Sequence, residues 1–111
     1  MLNKNNRLKK KKEFNYVYKR GRSFSNNLFV VYVVPTKFSQ SKFGISVSAK
    51  VGKSFVRSRV KRILSEVVRL NIQNIKINNY VIVARADMAN ADFHLTQDTL
   101  LKSFNQWGLM C

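Results

Sequence analysis

Residues 50–69, KVGKSFVRSRVKRILSEVVR, hold the side chains best suited to chemistry with another molecule. Lys50, Lys53, Arg57, Arg59, Lys61, Arg62 and Arg69 stand against one acid, Glu66. Guanidinium forks take phosphate oxygens in pairs, and ammonium groups act as point charges, so the chemistry is recognition of a polyanion. On a helix, Arg57 and Lys61 are four apart and repel, as do Arg59 and Arg62 at three. A phosphate backbone lying on that face relieves the repulsion. The alternative is a helix face kept soluble by its charges, but such faces normally mix signs.

Catalytic chemistry finds no comparable grouping. Asp87, Asp92 and Asp98 are dispersed and make no acid/base pair, and no glycine-rich loop is present to cradle a phosphate. The single histidine, His94, has no histidine or cysteine nearby and reads as a surface or capping residue, not a metal ligand or triad member. Arg85-Ala86-Asp87 reads as the end of a strand. The chain by itself reads as a binder, and if it belongs to an enzyme the reactive centre lies elsewhere. The lone cysteine, Cys111, excludes an internal disulfide and fits a reducing compartment.

The elements that must position these charges follow from periodicity. From Ser54 onward Val56, Val60, Ile63, Leu64 and Val67 fall on one helical stripe. Arg57, Lys61, Arg62 and Arg69 fall on the opposite half, with Arg59 at its edge. Gly52 allows a tight turn before the helix, and Ser54 is a candidate cap. Residues 11–20 read as a shorter helix ended by Gly21, with Phe14, Val17 and Tyr18 on one face. Val17 reads as core. Phe14 and Tyr18, set among lysines, suit either a core or a base-stacking surface.

Residues 28–35 (LFVVYVVP) predict a central strand, apolar on both faces. Residues 36–42 read as a hairpin loop. Residues 43–48 alternate, with Ile45 and Val47 toward a core and Gly44, Ser46 and Ser48 forming a small polar face. Residues 71–79 read as a linker with Ile72, Ile75 and Ile77, and 80–85 (YVIVAR) as a strand. Residues 87–93 read as a loop. Thr96 is a candidate cap for a last helix to Trp107, stopped by Gly108, with Leu100, Leu101 and Phe104 in its stripe. The class is α+β, a mixed sheet covered by helices.

A chain of 111 residues suits one domain, 1–111, and 45% hydrophobic residues can build a core. Residues 1–8 are expected as a flexible basic tail. The net charge of +16 implies a nucleic-acid partner. No secretory signal or membrane-length apolar run is present, so the cytoplasm is the expected location.

The run Gly44-Ile45-Ser46-Val47-Ser48, then Lys50-Val51-Gly52, then Val56-Arg57-Ser58-Arg59-Val60-Lys61-Arg62, resembles the bacterial ribonuclease P protein component. Arg7-Leu8-Lys9-Lys10, Phe14, Tyr18 and Gly21 resemble that family's opening, and residues 80–85 a later segment. The match spans residues 7–104. Ser58 stands where the family usually has asparagine, which weakens one local bond. Ala49 stands where a basic residue is common, which removes one phosphate contact.

The resemblance implies a two-layer α+β sandwich of order αβββαβα, with a left-handed β-α-β crossover and a short strand near residues 23–25. It implies a monomer in a 1:1 complex with a catalytic RNA. That RNA, with Mg2+, removes the 5′ leader of precursor tRNA, and the protein binds without performing chemistry or holding metal tightly. By resemblance the catalytic RNA meets Lys50, Lys53, Arg57, Ser58, Arg59, Lys61, Arg62 and Arg69. The single-stranded leader lies in a cleft of Lys11, Lys12, Phe14, Tyr18, Arg22, Tyr32, Ser46 and Ser48. The competing readings are a ribosomal-type RNA-binding protein or RNA chaperone, and a DNA-binding module; against the last, no helix-turn-helix spacing is found.

Overall fold

Residues 2–111 are described by the computed structural model. The major elements are α1 (Lys11–Arg20), β1 (Arg22–Ser25), β2 (Phe29–Val34), β3 (Lys42–Ser46), α2 (Ser54–Asn71), β4 (Asn79–Ala84) and α3 (Phe93–Gln106). The strands form one mixed sheet in the order β1-β2-β4-β3. β1 and β4 each pair antiparallel with β2, and β3 pairs parallel with β4. Strand β4 is central because Tyr80, Val81 and Ile82 are all fully buried, which needs cover on both faces. α2 joins β3 to its parallel neighbour β4, forming the β-α-β unit.

Side chains alternate across the sheet. Phe29, Val31, Val33, Phe43, Tyr80 and Ile82 meet Val60, Leu64, Val67, Leu100 and Phe104 of α2 and α3 in the main core. On the other face Val34 and Val81 pack with Leu8 and with Val17 of α1 in a second, smaller cluster. Tyr80 stacks on Phe43 with ring centroids 4.7 Å apart, and its hydroxyl donates to the Lys76 carbonyl at 2.7 Å. Burial pushes its phenol up to about 12, so it stays a neutral donor.

Several local expectations change. Residues 36–42 are not a hairpin loop, because β4 lies between β2 and β3. The fully apolar strand takes the interior, and β3, with Gly44 and Ser46, is left at the edge. Gly21 ends α1 with φ −80°, so its role is close approach: a Cβ there would lie 2.5 Å from the Val17 carbonyl oxygen and 2.9 Å from that of Val33. Ser54 is the first helical residue of α2 and not its cap; Lys53 takes the cap position. Asp92, not Thr96, caps α3 by accepting from the Leu95 N–H at 2.8 Å, and the buried Thr96 hydroxyl donates to the Asp92 carbonyl. Gly108, at φ +71°, does end the last helix in the left-handed region.

Residues 2–8 are not a free tail; Met1 lies outside the described residues. Leu2 and Leu8 are buried, Lys4–Asn6 form a 3-10 turn, and the Leu8 N–H donates to the Phe43 carbonyl at 3.1 Å along the β3 edge. Two apolar anchors and an open strand edge hold the segment despite its charge. The region 71–79 is likewise ordered: Ile72–Asn74 form a 3-10 turn, Ile75 is buried and bridges Met110, and Ile77 is exposed. No helix among the described residues is long and apolar enough to cross a membrane.

The stripe of α2 is rotated from the expected phase. Ser65 and Val68 are buried with Val60, Leu64 and Val67, whereas Ile63 is only partly buried. Leu64→Ala should therefore cost about 2–5 kcal/mol, and Ile63→Ala clearly less, in urea unfolding. The reverse order would contradict this helix phase.

Candidate nucleic-acid interface

α1 lies across the sheet face opposite α2 and α3, and its cover is incomplete. The Phe14 ring sits on Gly44, where a Cβ would fall 2.5 Å from the ring edge. Val17 is buried beneath the helix, and Tyr18, 37% exposed, meets the Tyr32 ring edge-on at 5.0 Å. These contacts cover the sheet row formed by Tyr32, Val81 and Gly44. The next row is Ser25, Val30, Val83 and Ser46, and none of the four is buried. A trough thus runs across all four strands beside α1, with a floor of hydroxyls and small aliphatics and a wall that includes Tyr18 and Tyr32. Ser48 lies just beyond β3 and is exposed.

The eight residues expected in one cleft divide. Phe14, Tyr18, Tyr32 and Ser46 gather at the trough, and Ser48 extends it. Lys11 is exposed and shares the helical side of Phe14 and Tyr18 at spacing i, i+3, i+7. Lys12 turns the other way, beside Leu8, Tyr16 and Asn79. Arg22 pairs in register with Val33, whose row faces α2 and α3, so strand alternation removes it from the trough. Phe14 and Tyr18 also differ: Phe14 is a half-buried wedge on Gly44, and Tyr18 offers more of its ring to solvent.

The basic helix distributes its charges around three sides. Rotation of the buried stripe brings Arg57 and Lys61 to its β3 flank, not opposite it. There they join Ser58, Ile45 and Val47 around a hollow of about 230 Å³. Arg57 Nε donates to the Gly52 carbonyl at 3.2 Å. A second hollow, about 490 Å³, shares Ile45 and Lys61 and adds Arg7, Leu8, Lys9 and Phe14. A positive shoulder therefore wraps the β3 edge between α1 and α2. Arg59 lies on the far flank and donates through Nη2 to the Ala89 carbonyl, so it is tied into the fold and is not a purely outward charge. Arg69 pairs with Glu66 at 2.7 Å. Lys50, Lys53, Ser58 and Arg62 are exposed.

Two contributors had little signal in sequence. Arg7 bridges Phe43 at the β3 edge, and its buried Nε has no partner. Glu13, one acid among lysines, fixes the start of α1 by accepting from the Lys10 and Lys9 N–H groups at 2.9 and 3.2 Å. The spacing of four N-terminal positions was the available clue. The Lys10 N–H bond, with the Lys9 bond and nearby lysines, holds the Glu13 carboxyl below its ordinary range despite some desolvation. A lowered folded-state value means the contribution is present above the ordinary carboxylate range and is lost as pH falls through the folded value. Amide exchange at Lys9 and Lys10 should accelerate, relative to intrinsic rates, on acidification through that range, and Glu13→Gln should flatten the response. A pH-independent protection factor in the wild type would contradict it.

Residues 2–108 match the family model described as Ribonuclease P. The ribonuclease P protein component of Clostridium acetobutylicum is 44% identical over 110 residues, covering 96% of this chain and 92% of its own. The solved ribonuclease P protein of Staphylococcus aureus superposes with a TM-score of 0.88 at 28% identity, over 96% of this chain and 98% of that one. The Thermotoga maritima protein gives 0.82 at 28% identity, over 90% and 96%. A ribosomal or DNA-binding identity is set aside by this agreement of sequence, length and fold. The chain belongs to the ribonuclease P protein component family.

Proposed function

We propose that the chain is the protein subunit of ribonuclease P, and that it binds both the ribonuclease P RNA and the single-stranded 5′ leader of precursor tRNA. The observation that carries the leader reading is the open sheet row Ser25–Val30–Val83–Ser46 beside Tyr18 and Tyr32. Its width is one uncovered row, which suits an extended strand and not a duplex. Ring stacking tolerates any base, which suits leaders of differing sequence. Lys11 and the shoulder of Arg7, Lys9 and Lys61 supply attraction for phosphates on either side.

The catalytic RNA is assigned to the outer and β3-side surface of α2, through Lys50, Lys53, Arg57, Ser58, Lys61 and Arg62, with Arg69 and Arg59 at the margins. Cleavage and its Mg2+ are assigned to the RNA. The complex is taken as 1:1 and cytoplasmic.

Two experiments test this. Tyr18→Ala in the reconstituted complex should weaken binding of a precursor with a leader of several nucleotides by about 1–3 kcal/mol. A one-nucleotide leader should bind as before, and the protein should remain folded. Equal losses on both substrates would remove the leader from this trough. Arg62→Ala should reduce the salt dependence of affinity for the ribonuclease P RNA by about one unit of slope, with thermal stability nearly unchanged. A wild-type slope would remove Arg62 from the contact.

A further inference from the structure

Phe55 is 73% exposed in the first turn of α2. A large ring is thus held mostly in water on the most basic helix of the chain. The other apolar side chains at this end turn inward, Val51 buried and Val56 partly so. Phe38 is comparably exposed at 71%, but its ring has the Lys42 ammonium 5.7 Å from its centroid. Among the described residues no cation or second ring sits over the ring of Phe55.

Its surroundings decide what it fits. The residues one turn on are Ser58 and Arg59, and two turns on is Arg62, with Lys53 immediately before the helix. A protein partner that buries apolar area needs a contiguous patch, and this face offers one ring within a field of cations. An unpaired nucleobase presents a flat π-face with a phosphate on each side of it, which matches a ring flanked by guanidinium and ammonium groups. We propose that Phe55 stacks on an unpaired base of the ribonuclease P RNA, as an uncharged anchor within the basic contact of α2. This rests on the reading that α2 faces that RNA.

Charge and stacking have separable signatures. Loss of a phosphate contact changes the slope of affinity against salt, whereas loss of a stacked ring lowers affinity at every salt concentration. The affinity of the full chain for ribonuclease P RNA is measured across a salt series for wild type, Phe55→Leu, Phe55→Trp and Arg62→Ala. Phe55→Leu should bind about tenfold more weakly with the wild-type slope. Phe55→Trp should bind at least as tightly as wild type, with fluorescence quenched on RNA addition beyond any change from Trp107 in the wild type. If Phe55→Leu binds like wild type while Arg62→Ala loses slope, stacking is overturned and the α2 contact stands. If Phe55→Leu lowers the slope as well, the ring only positions charges and the proposal fails. If neither variant alters affinity or slope, α2 does not face the RNA and both readings fall.

Discussion

Burial of the middle of β4 on both faces is the constraint from which the rest of the architecture follows. Tyr80, Val81 and Ile82 leave no surface in water, so strands must flank β4 and helices must cover it above and below. β2 takes one side antiparallel and β3 the other in parallel. A parallel neighbour cannot be reached by a tight turn, so the connection is a helix, and that helix is α2. The chain's most basic segment is thereby fixed against the core by the same topology that completes the sheet.

The second face is where function and packing meet. α1 is short, and its ten residues cover Val34 and the row of Tyr32, Val81 and Gly44 but leave the row of Val30 and Val83 uncovered. Gly44 lets the Phe14 ring descend onto the backbone, which draws the helix toward β3 and β4. Any larger residue there would raise the ring and with it the wall of the trough. Glu13, the residue before Phe14, secures the helix start, so one glycine and one carboxylate fix the N-terminal half of the element.

The positive charges do not form one uniform surface. A net charge of +16 destabilises any compact state by self-repulsion, and the main core must offset it. Some cations are also committed internally: Arg57 to the Gly52 carbonyl, Arg59 to the Ala89 carbonyl, Arg69 to Glu66. Such bonds preset side chains that would otherwise lose rotamer freedom on meeting RNA. Lys50, Lys53 and Arg62 remain exposed, so α2 and the turn before it carry cations of two kinds, some held by internal bonds and some free to adapt.

The class, the partner chemistry and the order of the major elements apart from β1 were legible because each is local; β1 came only through the family resemblance. Alternation marks strands, a 3.6-residue period marks helices, and net charge is a sum over the chain. The run from Gly44 to Arg62 also carried the family by type and spacing alone. The neighbours of each strand were not legible, since a loop of residues 36–42 looks the same whether it turns back or passes over β4. The sides taken by Lys12 and Arg22 were hidden for the same reason: a residue's direction depends on which partner covers its row. Ser65 joined the buried stripe of α2 beside Leu2 and Phe43, residues distant from it in sequence. Sequence determined which residues can bury and which can bind phosphate; only the tertiary structure decided which face each one meets, because burial belongs to pairs of surfaces and not to a single segment.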